Sequence, residues 1–457
     1  MEQSVFPAAF CARMERLLGG EYPAFLAALA RERSYGLRVS PLKADPAAFA
    51  ARAPFALRPV PWAAEGFYYD PADRPGKHPY YEAGVYYIQE PSAMAVGALA
   101  DAKPGERVLD LCAAPGGKTT HLAGRMAGEG LLVANEIFPA RAKILAQSVE
   151  RAGIAGCVVT SETPARLAER FPAYFDCIVV DAPCSGEGMF RKEEIAVTEW
   201  TPDAPALCAA RQDEILAEAA KMLRPGGRLI YSTCTFAPEE NEGTLSRFLA
   251  AHPDFSIVPI PGDPAFAPGR PDWIEGAHPD VRHAFRLFPH RLDGEGHFAA
   301  VLRRAGGAPG AGLPPAEPLP PKKIPREFAD FARETLQNAA FDRLILNGAT
   351  LWSLPAGCPD LSGLRVLRAG LQLGEVKKGR FEPAHALALG LRAEQAKRTL
   401  DLPGDGADVL AYLRGETLPC AQKGWVLVTV DGWPLGWGKA SGGVLKNHYP
   451  KGLRRVK

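Results

Sequence analysis

No stretch of this 457-residue chain approaches the ~18 consecutive apolar residues of a membrane-spanning helix. Its opening, MEQSVFPAAFCARMERLL, is broken by charge too early for a secretory signal. No two of the nine cysteines are spaced C-x-x-C, and the number is odd, which argues against a disulfide framework, a zinc ribbon or a thioredoxin-type site. Net charge is almost absent: 53 Lys and Arg against 52 Asp and Glu leave +1, which excludes a uniformly basic coat for nucleic acid but not a local basic face. Repeats of solenoid length are absent as well. With 47% apolar and 23% charged residues the composition is that of ordinary globular proteins. The expectation is a cytoplasmic chain of about three domains, at ~150 residues each.

Proline marks the clearest break. Seven of the seventeen residues from Pro309 to Pro325 are proline, a run that favours extended polyproline geometry. A softer boundary lies at 66–80, dense in Gly, Pro and Asp. The resulting division is an N-terminal domain at 1–90, a central domain at 91–306, a linker at 307–325 and a C-terminal region at 326–457. In the central part, short apolar runs at 107–111, 131–135, 157–160, 177–181 and 228–233 read as buried parallel strands. Amphipathic helices at 117–127, 138–152 and 205–223 fall between them, the last stopped by a turn at Arg224-Pro225-Gly226-Gly227. A further helix around 239–251 precedes two more strands, 255–260 and 297–304. Such alternation predicts a doubly wound α/β sheet, and the two last strands suit a closing antiparallel hairpin.

Between the first strand and its helix stands Cys112-Ala113-Ala114-Pro115-Gly116-Gly117-Lys118. Glycines there let a ligand approach the backbone, and the helix N-terminus offers free N–H groups to a carboxylate. The dinucleotide pattern G-x-G-x-x-G is missing, and a Walker A loop would need glycine where Cys112 stands. S-adenosylmethionine remains, since its loop needs only small residues and a glycine turn. Glu136 ends the second strand about 20 residues on, where an acid typically takes a ribose hydroxyl pair.

Two cysteines close two other strands, in Asp181-Ala182-Pro183-Cys184-Ser185-Gly186 and Ser232-Thr233-Cys234-Thr235. Ligands of open α/β sheets bind beyond the carboxyl ends of the strands, so both thiols belong beside the glycine loop. No histidine clusters with them, so a metal site is not expected. These motifs, with Pro238-Glu239-Glu240-Asn241-Glu242, LRVSPLK (37–43) and GVYYIQEPS (84–92), resemble the RNA cytosine-5-methyltransferases of the Sun (NOL/NOP/Sun) family, in its bacterial RsmF-like ribosomal-RNA branch. DNA cytosine methyltransferases carry a Pro-Cys nucleophile and lack the Thr-Cys motif. The resemblance implies a Rossmann-like class I methyltransferase sheet using S-adenosylmethionine. It implies Cys234 as the nucleophile that adds to carbon 6 of cytosine, Cys184 as the residue that resolves the adduct, and Asp181 as a hydrogen-bonding partner of the ring, also near the cofactor. Residues 112–118 and Glu136 are then the cofactor site, and Glu162, after the third strand, is the choice for the adenine. Arg141 suits either RNA or cofactor, and Lys118 sits beside the crevice.

The flanks are expected to bind RNA. Arg31, Arg33, Tyr35, Arg38 and Lys43 combine stacking and phosphate-binding side chains. Segments 363–389 and 424–457 read as short strands with glycine turns and resemble a PUA-like domain; the final residues carry Lys446, Lys451, Arg454, Arg455 and Lys457, suited to phosphates. EFADFARETL, after the linker, has a helical pattern. The expected partner is RNA, small-subunit ribosomal RNA above all, with no membrane, no metal and a monomeric chain. Transfer-RNA methylation and a non-catalytic RNA-binding assembly factor are the alternatives.

Overall fold

The computed structural model describes residues 6–307 and 313–455. Residues 1–5, residues 308–312 of the linker (Pro309 among them), and Val456 and Lys457 of the tail lie outside the described residues.

Two helices, Ala8–Leu18 and Tyr22–Leu29, lead into an antiparallel sheet of β1 (Gly36–Val39), β2 (Leu57–Val60), β3 (Ala63–Tyr69) and β4 (Tyr86–Ile88), in the order β2-β3-β1-β4. The central strands are β5 (Arg107–Asp110), β6 (Leu131–Asn135), β7 (Cys157–Thr160), β8 (Phe175–Asp181), β9 (Leu223–Thr233), β10 (Phe255–Ile257), β11 (Ala267–Pro268), β12 (Phe285–Leu287) and β13 (His297–Arg304). Beyond the proline-rich segment come a helix at Arg326–Thr335 and β14 (Leu344–Asn347), β15 (Thr350–Ser353), β16 (Val366–Ala369), β17 (Leu371–Lys377) and β18 (Arg380–Pro383). The last unit holds β19 (Thr399–Leu402), β20 (Leu418–Pro419), β21 (Gly424–Val430), β22 (Trp433–Ser441) and β23 (Val444–Asn447), ordered β19-β21-β22-β23-β20.

The central sheet runs β11-β12-β13-β9-β8-β5-β6-β7-β16, with β10 pairing β13. Strands β5 to β9 are parallel, and the edges are antiparallel. The chain winds outward from β5 through β6 to β7, then returns to the other side of β5 with β8 and β9. The reversal leaves a crevice at the carboxyl end of β5, the switch point where doubly wound sheets bind ligands.

Both faces of these strands are buried, which is why they read as unbroken apolar runs. Leu109, Val133, Val158 and Ile178 face one core with Leu216 and Phe248 of the helices Ala204–Met222 and Thr244–Ala251. Their neighbours Val108, Leu132, Val159 and Val179 face the opposite core with Leu122, Leu145 and Val149 of the helices Gly117–Arg125 and Pro139–Arg151.

Three details differ from the sequence reading. Residues 224–227 are not a loop: the helix ends at Met222 and β9 begins at Leu223, with Gly226 at φ +74° and a register shift opposite β8 absorbing the turn. Strands β10 and β13 do pair antiparallel, but β11 and β12 intervene, so they are not a simple hairpin. Segment 363–389 does not join the final domain. Its β16 completes the edge of the central sheet against β7, and β17 and β18 form a separate sheet with β14 and β15.

Candidate active site at the strand ends

Cys184 and Cys234 follow the adjacent strands β8 and β9, and their sulfurs are 3.3 Å apart. Asp181 ends β8. Its Oδ1 accepts from Ser232 Oγ at 2.7 Å, and its Oδ2 lies 2.6 Å from Lys118 Nζ, in the first turn of the helix after β5. Lys118 is therefore not a solvated surface lysine: the pair joins the cysteine strands to the glycine loop. Burial works against both charges, but each is outweighed by the other. The Asp181 carboxyl group is held below its usual range, helped by His297, and the Lys118 ammonium above its own.

Cys184 is pushed well above the ordinary thiol range, first by its hydrogen bond with Cys234 and then by burial. Elsewhere Cys157 and Cys177 are fully buried in the sheet, which pushes each to about 12 and makes them packing residues.

Around the glycine loop, Gly116 sits at φ +114°, and a Cβ there would lie 2.8 Å from Ser148 Cβ. Only glycine meets both demands. Ala113 N donates to Asn135 O, and the Pro115 peptide is cis. Cys112 is partly buried against the core, and its thiol is raised by that burial. Glu136 is buried at the end of β6; its carboxylate accepts from Phe138 N at 3.0 Å and faces Arg141 Nη1 at 3.4 Å. Arg141 also donates to Ala114 O, which places it over the loop. Glu162 faces elsewhere: its Oε1 accepts from Arg365 N, in the segment leading into β16.

Further residues complete this site, and of these Asp110, Asn135, Arg286 and His297 lie outside the motifs quoted above. Asp110, fully buried at the end of β5, accepts from Thr119 Oγ1 through Oδ2 while Oδ1 has no hydrogen-bond partner; burial raises it to about 7. Asn135 binds Leu111 O, Thr160 Oγ1 and both main-chain groups of Glu162, tying three strand ends together. Asn241 accepts from Thr233 Oγ1 at 2.6 Å and donates to Thr235 O at 3.0 Å, bracketing Cys234. Glu242 pairs with Arg286, buried at 2.5 Å, and Arg286 donates to Phe236 O. His297 Nδ1 lies 3.0 Å from Ser92 Oγ, which in turn donates to Glu90.

The N-terminal helices buttress the same loops. Glu187, just after the Cys184 motif, pairs with Arg13 at 2.5 Å and accepts from Trp200 Nε1 and from Phe236 N, just after the Cys234 motif. Phe10 and Phe25 pack on Phe190 and Phe236 with ring centroids 5.0 and 5.1 Å apart. Two basic residues expected to meet RNA are committed internally. Arg38 is buried and donates to Gln89 Oε1, Gly117 O and Thr120 Oγ1, holding the helix of the glycine loop. Lys43 Nζ donates to Leu389 O. In the tail, Arg455 donates to Lys77 O, whereas Lys446 and Lys451 remain exposed.

The ribosomal RNA small subunit methyltransferase F of Klebsiella pneumoniae is 35% identical over 98% of this chain and 97% of its own length, and that of Escherichia coli O157:H7 is 33% identical over the same shares. This chain belongs to the small-subunit rRNA methyltransferase F family. Its central part matches the family model for the 16S rRNA methyltransferases RsmB/F over residues 98–303. The flanks match the RsmF N-terminal domain at 6–91, the RsmF first C-terminal domain at 330–391 and the RsmF PUA domain at 399–455. Segment 363–389 thus falls in the first C-terminal domain, in line with its separate sheet. Among solved structures, a methyltransferase homologue from Pyrococcus horikoshii is 30% identical with a TM-score of 0.59, covering 65% of this chain and 95% of that one. NSun6 from the same organism, solved with SFG, is 21% identical with a TM-score of 0.56, covers 66% of this chain and all of that one, and shares the fold. The central sheet is that of a class I methyltransferase.

Among the described residues no helix is long and apolar enough to cross a membrane, and no group of three or more His, Cys, Asp or Glu side chains is placed to hold a metal ion.

Proposed function

We propose that this chain methylates carbon 5 of a cytosine in small-subunit ribosomal RNA, with S-adenosylmethionine as donor, through a covalent bond between Cys234 and the base. The observation that carries the reading is the 3.3 Å contact of Cys184 and Cys234 beside the Lys118–Asp181 pair and the glycine loop. The residues around that loop suit the donor: Asp110 Oδ1 is a buried acceptor without a donor, Gly116 gives the tight positive-φ turn before the helix N-terminus, and Glu136 supplies a carboxylate at the next strand end. When bound, S-adenosylmethionine supplies an electrophilic methyl group on a sulfonium.

Carbon 5 of cytosine is a poor nucleophile. Addition of the Cys234 sulfur forms an S–C6 bond and turns the C5–C6 double bond into an enamine-like centre, so one hard step becomes two easier ones. Asp181, kept ionised by Lys118, is an acceptor suited to the exocyclic amino group of the base. Electron demand at carbon 6 is raised by a hydrogen-bond donor to the ring, and Lys118 Nζ adjoins Asp181. After methylation, the proton on carbon 5 must leave before its electrons can re-form the double bond and expel Cys234. Cys184, whose sulfur touches that of Cys234, is placed to take part in this release. A cytosine stacked in a helix hides its carbon 6, so the target lies in a loop or is turned out.

Full-length protein incubated with labelled donor and total RNA, followed by mapping of methylated cytosines, tests the reading. Cys234→Ala is expected to lower transfer at least ~1000-fold, as loss of a covalent nucleophile does. Retained turnover, or methylation away from cytosine carbon 5, overturns the mechanism; label in transfer RNA alone overturns the substrate.

A further inference from the structure

Cys184 and Cys234 leave different strands on separate loops, so the distance between the sulfurs depends on what ties the loops together. One buried side chain binds the first loop and connects through it to the second. Glu240 lies in the single π-helical turn Glu239–Gly243 and is fully buried. Its Oε2 accepts from Ser185 N at 3.0 Å and from Gln212 Nε2 at 2.9 Å, and its Oε1 accepts from Ser185 Oγ. The Ser185 hydroxyl oxygen is in turn 2.8 Å from Thr235 Oγ1. Ser185 follows Cys184 directly, and Thr235 follows Cys234. Other tethers join the same two segments: Ala182 N donates to Ser232 O and Gly188 N to Cys234 O, each at 2.8 Å, and Phe236 N donates to Glu187; of the side-chain links, only Ser185–Thr235 joins the residues that directly follow both cysteines.

We propose that Glu240 is a positioning residue that clamps the Cys184 loop to the Cys234 loop through Ser185 and Thr235 and thereby sets the distance between the two sulfurs. Its support is itself buried: Gln212 is held by Tyr231, whose Oη lies 2.8 Å from Gln212 Oε1 and 2.6 Å from the main-chain oxygen of Glu240. A hydrogen-bonded buried network of this kind fixes one geometry, because each lost partner leaves another group unsatisfied. The clamp rests on the methyl-transfer reading only for its catalytic consequence; the sulfur–sulfur distance is a property of the protein alone.

The test needs neither RNA nor donor. Diamide takes one hydrogen from each thiol, becoming the hydrazine, and the two sulfurs join as a disulfide; the rate of Cys184–Cys234 bridging in the native full-length chain is followed by peptide mass spectrometry. Glu240→Ala is expected to slow bridging about tenfold, the scale set by losing buried hydrogen bonds. Glu240→Gln should stay near the wild-type rate: its amide oxygen can accept from Ser185 N and Gln212, its amide nitrogen can donate to Ser185 Oγ, and the serine hydrogen then turns to Thr235. Thr235→Val keeps the shape but cuts the last link, so it should slow bridging like Glu240→Ala, and the double variant should be no slower than either. In methyl transfer, Glu240→Ala and Thr235→Val should lower kcat and leave the RNA KM in place. Thermal unfolding checks that each variant is folded, and Thr235→Val carries the test if Glu240→Ala is not. Wild-type bridging rates in the folded variants, or no bridge in the wild-type protein, overturn the clamp. Retained methylation by Cys234→Ala alongside the expected bridging pattern would instead overturn the reaction and leave the clamp standing.

Discussion

At the carboxyl ends of β5, β8 and β9 the interior is crowded with polar groups: Asp110, Lys118, Asp181, Glu240 and two touching thiols. A cleft of about 740 Å³ lies elsewhere, between Lys43, Gly124, Gly153, Leu389, Arg392 and Trp433, where the N-terminal domain, the central sheet and both C-terminal units meet. The two regions differ in how their polar atoms are spent. In the cleft Lys43 donates to Leu389 O, Trp433 Nε1 donates to Lys43 O at 3.1 Å, and Arg392 pairs with Glu394 at 2.8 Å. Its glycines serve close packing, since a Cβ on Gly153 would lie 2.3 Å from Leu389 O. In the crevice an acceptor is left over on Asp110, and several groups sit far from their ordinary titration range. Lys43 in the cleft is shifted too, but by burial alone; in the crevice charged and hydrogen-bonding neighbours act on one another as well, and such clustering marks chemistry more than open space does.

If the crevice does the work, removing Cys184 should have the largest effect after loss of Cys234 itself. Cys184→Ala leaves the nucleophile and the donor site in place but takes away the sulfur beside it. We expect turnover to fall on the order of 100- to 1000-fold, the range for a lost proton-transfer group, and a protein–RNA adduct to survive denaturing gel electrophoresis. Loss of turnover without any adduct would mean that Cys184 acts before the covalent bond forms.

A smaller effect should follow at Lys118. Lys118→Met removes the charge that keeps Asp181 ionised, with the chain length preserved. The expected loss in kcat/KM is about 10- to 100-fold, the scale of one charged hydrogen-bonding partner. The pH profile sharpens the assignment. Burial alone would raise the Asp181 carboxyl group, and the Lys118 charge lowers it; without that charge the acid limb must move to higher pH. An unmoved limb would show that Asp181 ionisation does not control the rate.

How much of the crevice is legible in the sequence depends on the range of the contacts. Strands β5 to β9 are visible because each is buried on both faces and bounded by turn residues. The loop 112–118, Asp181 and the two cysteines stand at strand ends and are marked by local motifs. Asp110 and Asn135 look like ordinary strand residues, and only pairing with other strands gives them their roles. Arg38 reads as a nucleic-acid contact because a single arginine carries no sign of whether its guanidinium faces solvent or, as here, Gly117 O. Strand β16 is hidden for the same reason: its partner β7 lies about two hundred residues earlier, beyond any pattern of period two or 3.6. Glu240 falls between these cases, inside a stretch that resembles its family but with a role that appears only when Ser185 and Thr235 are seen together.

The smallest effect should come from the cleft, and it would be read in stability rather than rate. Lys43 is lowered by burial to about 8 from its ordinary 10.5. Between those values the unfolded chain binds more protons at this site than the folded one, so stability must rise as pH goes from about 8 to 10.5, by on the order of a few kcal/mol. Lys43→Met keeps the apolar stem and removes the titrating group, so that rise should flatten in denaturant titrations across this range. Methyl transfer and the RNA KM should stay within about twofold of wild type, as for a substitution away from the chemistry. A large rise in the RNA KM would place nucleic acid in the cleft and remove the contrast between the two regions.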